Sequence, residues 1–388
     1  MERKLVTIRR VDEVWKHPGA DRLDLLRVGG WQLVSQIGNF QPGDLCVYHE
    51  IDSFLPISHP AYADLTKTAV KWKDLTGVER EGHRLKTVKL RGEVSQGYAL
   101  KPDLFPELRA NTGMHPEGNL LQHLTATGKL FDYDLAEDLG VVKWEKSVPM
   151  GGAAKGSFPS HTPKTDEERI QNLFNKFGNR GEMFVSEYQN AAGEKIVVEK
   201  PYPLCREDDW EVTIKLDGSS MTVFRRDDEF GVCSRNNELV ETDENAFWKT
   251  AHELKLRERM NLLGLNLSLQ GELCGPGIQS NTDKLPKLGF YVYNIYEINR
   301  SRYLTRVERS AVLKELELLD GTAPPLLEVP FLEVRKFDFA TIQEALAYAE
   351  GPSLNPQVKR EGVVFKSLQS PDTSFKIISN SYLLKHDA

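Results

Sequence analysis

Residues 148–164, VPMGGAAKGSFPSHTPK, constrain this chain more than any other stretch. Their glycines and prolines interrupt helical and extended hydrogen bonding alike, so no single element is expected to run through them. A chain of 388 residues broken there has room for a hydrophobic core on either side. The expected division is a front domain over 1–105, a connector over 106–160 and a rear domain over 161–388. Charge follows it. Residues 1–100 hold 15 Lys and Arg against 13 Asp and Glu, net +2, so the remainder carries −9 of the total −7. A negative total argues against indiscriminate coating of nucleic acid, and the mildly basic front suggests a job of its own.

The front reads as β structure. Lys4–Val11 alternates, and Leu23–Val28 and Trp31–Ser35 flank Gly29-Gly30, a two-residue hairpin signal. Asp44–Ile51, Thr87–Leu90 and Tyr98–Leu100 add further short strands. About five strands of this kind predict a small barrel or sandwich. HPGADRL (His17–Leu23), followed by strand, Gly-Gly and strand, resembles the opening of OB-type tRNA-binding modules. That resemblance implies an OB-fold barrel that binds nucleic acid.

Several classes drop out. No window approaches the ~18 uncharged apolar residues of a membrane span. MERKLVTIRR lacks the apolar core of a signal peptide, so a cytoplasmic protein is expected. Cys46, Cys205, Cys233 and Cys274 show no CxxC spacing and read as reduced thiols. The nine histidines form no HxH or HxxxH pair, which argues against a built-in transition-metal centre.

In the connector a short helical run is expected near Asp134–Leu139. Beyond the break, Thr165 and Glu168 predict a capping box opening a helix with Ile170, Leu173, Phe174 and Phe177 on one face and Gly178 at its end. Strands dominate from about Val197, with helices expected over Glu244–Leu263, Arg306–Leu319 and Thr341–Ala349. The rear is therefore α+β and large enough for its own core.

Its chemistry centres on Glu211–Ser220, EVTIKLDGSS. Alternation puts Glu211, Thr213 and Lys215 on one strand face. A lysine facing a pocket becomes a nucleophile when desolvation or nearby cations lower its pKa. Gly218 would let backbone approach a ligand closely. Alone, KxDG is weak: in a chain this long it arises by chance about one time in ten. A solvated strand end explains Lys215 equally well on those residues alone.

The motifs downstream of Lys215, in chain order, are more specific. SRN lies at Ser234–Asn236, GELCGPGIQ at Gly271–Gln279, FYVYNIY at Phe290–Tyr296, EGVVFK at Glu361–Lys366 and SFKIISN at Ser374–Asn380. This series resembles the motifs of the covalent nucleotidyltransferases, the superfamily of ATP-dependent DNA and RNA ligases and capping enzymes. TDEERIQN (Thr165–Asn172) and GPGIQ are similar to the nick-sealing RNA ligases. An OB domain placed before the nucleotidyltransferase domain, with little chain after the last motif, resembles the Deinococcus and Naegleria type. The fold implied is an OB barrel followed by an ATP-grasp-like ligase domain of antiparallel sheets and helices.

The resemblance also implies roles. Lys215 would attack the α-phosphate of ATP. Asp217, Glu272 and Glu361 would hold Mg²⁺ or Mn²⁺, partly through water, and so help depress the Lys215 pKa. Lys376, with Lys366 as a weaker candidate, would contact α-phosphate oxygens. ATP contacts would extend to Glu211, Thr213, Ile214, Arg169 and Gln171, with Tyr293 as the adenine-stacking ring and Tyr291 its competitor. Arg235, Asn236 and Ser219 would bind the RNA end. Two positions depart from the pattern: Ile378 stands where many relatives have a second lysine, and Ile214 where some have a base-reading carboxylate. The expected partner is nicked duplex or broken RNA with 3′-OH and 5′-phosphate ends, acted on by a monomer. A DNA ligase, a capping-type guanylyltransferase and a noncatalytic relic are the alternatives.

Overall fold

Alternating strands in the rear of the chain pair into two mostly antiparallel sheets, with helices packed against them. The structure, a computed structural model, describes residues 3–74, 77–110, 114, 118–145, 153–189 and 195–386. It separates into two compact units. One comprises Val148–Arg169 and Glu207–Tyr382; the other comprises Glu2–Ser147, Ile170–Arg206 and Leu383–Ala388.

In the first unit, a five-stranded sheet has the order Glu168–Arg169, Ser374–Ile378, Gly362–Ser367, Asp209–Lys215, Phe331–Lys336. The larger sheet runs Ala154–Ser157, Asn237–Leu239, Glu229–Cys233, Ser219–Arg226, Leu267–Cys274, Gly289–Glu297, Arg302–Tyr303. Met221, Val223, Leu269, Phe290 and Val292 of that sheet share a core with Trp248, Met260 and Leu313 from the helices. The helix Arg306–Leu319 carries a capping box made by Thr305 and Glu308. The run expected over Glu244–Leu263 is two helices, Ala246–Glu253 and Leu256–Leu263, because Lys255 between them takes φ 48°. Ala154–Ser157, inside the predicted break, is an edge strand; residues 148–152 of that break lie outside the described residues.

The second unit holds the predicted front strands. Leu23–Val28 and Trp31–Gln36 form the hairpin, with Val28 opposite Trp31 and Gly29 at φ 59°. Leu45–His49 pairs with both Val6–Arg10 and Tyr98–Leu100. The expected connector is no linker: Leu108, Leu120, Leu124, Leu135 and Leu139 are buried against Val6, Ile8 and Val47. Among its described residues the helices are Pro106–Arg109 and Leu120–Ala126, not the run near Asp134–Leu139, which is turns.

The predicted helix after Thr165 also differs. Glu168–Arg169 is a strand, and helix is confined to Ile170–Leu173 followed by a 3₁₀ turn. Strand pairing with Ser374–Ile378 outweighs the local cap: the Thr165 hydroxyl bonds the Tyr293 hydroxyl, and Glu168 accepts from the Arg169 N–H. Gly178 ends no helix but pairs at Phe177–Gly178 with Leu204–Cys205, where a Cβ would strike the Tyr202 ring.

Candidate nucleotide site

Register decides which side chains meet. On the five-stranded sheet, Lys215 lies opposite Gly362, Thr213 opposite Val364, and Glu211 opposite Lys366. Val364 in turn lies opposite Lys376, and Lys376 beside Arg169. Directly opposed residues point to one side, so Lys215, Lys366, Lys376, Thr213 and Arg169 share a face. The opposite face is apolar, with Trp210, Phe365 and Phe375 packed in a buried aromatic cluster. Ile214 alternates with Thr213 and Lys215 and sits in a small cluster with Leu216, Cys274 and Val329, against which Tyr291 and Tyr293 also pack. Its side chain therefore does not join the lysines.

Lys215 Nζ donates to Glu361 Oε2 at 2.8 Å. Burial opposes the ammonium, but Glu361 and Glu272 more than compensate and hold its pKa above the usual lysine range. The expectation of a depressed pKa is thus not met by the protein's own groups: the neighbours supplied by the fold are anions. Glu272 is the counterpart. Burial, reinforced by Glu361, Asp217 and Glu167 against the pull of Lys215, pushes its carboxyl up to about 8. Asp217 Oδ2 accepts a 2.6 Å hydrogen bond from the Thr282 hydroxyl.

Gly218 allows two strands to approach closely. A Cβ there would lie 2.5 Å from the Leu273 carbonyl and 2.8 Å from Glu272 Cγ. Its absence lets Ser219–Arg226 close on Leu267–Cys274, which sets Glu272 opposite Ser220 and Tyr291.

A strap crosses from one sheet to the other. Thr162 bonds Ser268, the Pro163 carbonyl accepts from Gln270, and Thr165 bonds the Tyr293 hydroxyl at 2.9 Å. Glu168–Arg169 then joins the five-stranded sheet. Between these anchors Asp166 accepts from Lys376 Nζ at 3.3 Å and from Arg235 Nη2 at 3.0 Å. Arg235 is thereby brought to Lys376, whereas Asn236 accepts from Lys164 at 3.5 Å. Ser219 starts its strand opposite Leu273.

One expected contact, that of Glu211, is spent within the protein. Glu211 is buried and clamped by Arg309, with Nη2 2.5 Å from Oε1, and Arg309 also holds Glu328. It ties the sheet to a helix, because a buried carboxylate needs a full partner. Lys366 donates to the Tyr293 carbonyl at 3.1 Å, and burial together with Arg309 lowers its pKa to about 8. Gln171 belongs to the other compact unit, where its carbonyl accepts the Gly30 N–H at 2.8 Å. Sequence reasoning missed Asp166, Glu167 and Thr282. Of these, only Asp166 and Glu167 carried a signal, as carboxylates in the motif stretch before Arg169.

The donors Asp217, Glu272 and Glu361 are hard oxygen ligands suited to Mg²⁺ or Mn²⁺. Among the described residues no three His, Cys, Asp or Glu side chains converge to hold an ion directly. Such a set fits a cation that keeps much of its water, as these ions do at phosphate sites.

The comparisons with known proteins follow the same division. The RNA ligase family matches residues 208–378, and an OB-fold domain matches residues 5–102. No curated protein matches. Solved structures of Naegleria gruberi RNA ligase are similar over the whole chain. One is a variant with AMP and Mn, 38% identical, TM-score 0.81, covering 99% of this chain and 99% of that chain. A variant with ATP and Mn gives the same figures, 38%, 0.81, 99% and 99%. An apo variant is 38% identical with TM-score 0.81, covering 99% of this chain and 98% of that one. Sequence and fold agree from end to end, and on that ground this chain belongs to the RNA ligase family.

Proposed function

We propose that this chain is an ATP-dependent RNA ligase joining 3′-OH and 5′-phosphate ends. The observation that carries the reading is Lys215, ion-paired to Glu361 and sharing a sheet face with Lys376, with Glu272 held close enough to feel its charge. In the first step Lys215 Nζ, once deprotonated, forms a bond to the α-phosphorus of ATP and pyrophosphate leaves. In the second, an oxygen of the RNA 5′-phosphate attacks that phosphorus and Lys215 departs with a proton. In the third, the 3′-OH attacks the 5′-phosphorus, AMP leaves, and a phosphodiester remains.

Glu361 accepts from the resting Lys215 ammonium and must yield it for the first step. Lys376 places positive charge against α-phosphate oxygens where negative charge accumulates. Asp217, Glu272 and Glu361 would hold Mn²⁺ or Mg²⁺ through water; the bound cation supplies charge that offsets both the phosphates and the carboxylates. Tyr293, its hydroxyl fixed by Thr165 and Ser220, offers its ring to adenine. Arg169 faces the same side as Lys376 and contacts the triphosphate. Arg235, with Asn236 and Ser219, receives the RNA end. The OB domain, residues 1–105, tracks the sugar–phosphate backbone of a nicked duplex. A monomer working inside the cell completes the proposal.

The test is incubation with α-labelled ATP and Mn²⁺, followed by a sealing assay on nicked RNA duplex. Wild type should acquire label and seal; Lys215→Ala should do neither. Label retained by Lys215→Ala would overturn the assignment of the nucleophile.

A further inference from the structure

The strap carries a group that the three-step reading leaves unused. Asp166 offers both carboxylate oxygens to the two cations assigned to phosphates: Oδ1 to Lys376 Nζ at 3.3 Å and Oδ2 to Arg235 Nη2 at 3.0 Å. A carboxylate taking charge-assisted hydrogen bonds from a lysine and an arginine presents the same acceptor pattern as two phosphate oxygens. We propose that Asp166 is an internal phosphate mimic, filling the anion site of Lys376 and Arg235 until a substrate phosphate displaces it.

The surrounding geometry makes such an exchange local. Thr165 is tied to Tyr293, and Glu168–Arg169 is paired in register with Phe375 and Lys376. Backbone is held on either side, so displacement is a side-chain rotation rather than movement of the strap. The site is also reachable: the Arg235 and Asp166 side chains are 48% and 33% exposed, while Lys376 at 13% is the deeper anchor. An open cationic pair of this kind would bind cellular anions at random. A tethered carboxylate satisfies both cations at moderate strength and yields to a phosphate of higher charge. Because it competes, it lowers affinity for whatever phosphate uses the pair, and it helps that phosphate's remnant leave.

This inference rests on the ligase reading, and the experiment keeps the two apart. Binding of inorganic tripolyphosphate, and of oligoribonucleotides bearing 5′-phosphate or 5′-hydroxyl, is measured by calorimetry on full-length wild type, Asp166→Asn and Asp166→Glu. Removing the competing charge should tighten phosphate binding about two- to tenfold, the range expected for breaking partly exposed ion pairs. Asp166→Glu, which keeps the charge, should stay near wild type. Tightening for tripolyphosphate assigns the pair to the nucleotide. Tightening for 5′-phosphate RNA alone, with 5′-hydroxyl RNA unchanged, assigns it to the strand end. Arg235→Ala in the Asp166→Asn background should bring non-additive loss of that gain. If Asp166→Asn binds both probes no better than wild type while wild type still forms its AMP adduct, the mimic is refuted and the ligase reading stands. Absence of any adduct in wild type would instead bring down the ligase reading.

Discussion

At Lys215 two opposing effects meet, and their balance sets the protonation of the amine. Burial alone would favour the neutral amine, yet Glu361 at 2.8 Å and Glu272 keep the ammonium. The neutral fraction needed for attack therefore grows as pH rises. Replacing Glu361 by Gln removes a negative neighbour and should move the acid limb of single-turnover adenylylation to lower pH, by about one to three pH units. The maximal rate should drop at the same time, since a carboxylate is lost from the proposed metal set. An acid limb left in place would show that Glu361 does not govern Lys215. Thr282 offers a second test. Its hydroxyl fixes Asp217, so Thr282→Val should raise the Mn²⁺ concentration for half-maximal adenylylation several-fold, and Thr282→Ser should restore it. Equal metal dependence in Val and Ser variants would leave Thr282 without a positioning role. No pattern around Lys215 pointed to Thr282, because only the folded loop brings it to Asp217, 65 residues away in the chain.

Among the elements, strands were legible where alternation was strong, as in Asp209–Lys215 and Leu23–Val28. Thr165–Phe177 was misread for a physical reason. Its capping signals are local and are worth about 1 kcal/mol, whereas an edge of the Ser374–Ile378 strand offers two backbone partners and a buried face. Gly218 was read as a position of close approach, and it is, but the approaching group is the neighbouring strand. Gly218→Ala must push Ser219–Arg226 away from Leu273 and shift Glu272. Adenylylation should fall by at least about tenfold, a scale that misplacement of a catalytic group readily reaches. Thermal melting should show a smaller loss, about 1–3 kcal/mol. Wild-type adenylylation in this variant would mean that the strand contact does not set Glu272.

On the scale of the whole chain, the compact units do not follow the linear order of the segments. Ile170–Arg206 clusters with the front, where Trp31 donates to Asn172 at 2.8 Å and Gly30 packs on Gln171. A truncation beginning near Ser157 would strip those partners from Ile170–Arg206, so the front is better tested in full-length protein. Lys71 and Lys73 are exposed on the strand Val70–Lys73. Lys71→Glu with Lys73→Glu should weaken nicked-duplex binding and flatten its salt dependence by about two counterions, with AMP adduct formation unaltered. Unchanged salt dependence would remove this strand from the RNA surface. The sequence by itself determined the α+β class and the front hairpin, and it brought forward Lys215, its carboxylates and Lys376 as candidates for the site. Periodicity and motif spacing are local properties that survive in a linear reading. Tertiary structure alone decided that Glu211 is consumed by Arg309 and that Asp166 spans Lys376 and Arg235. Those outcomes turn on which charge finds which partner. That competition is settled by groups 69 to 210 residues apart, which no local pattern can register.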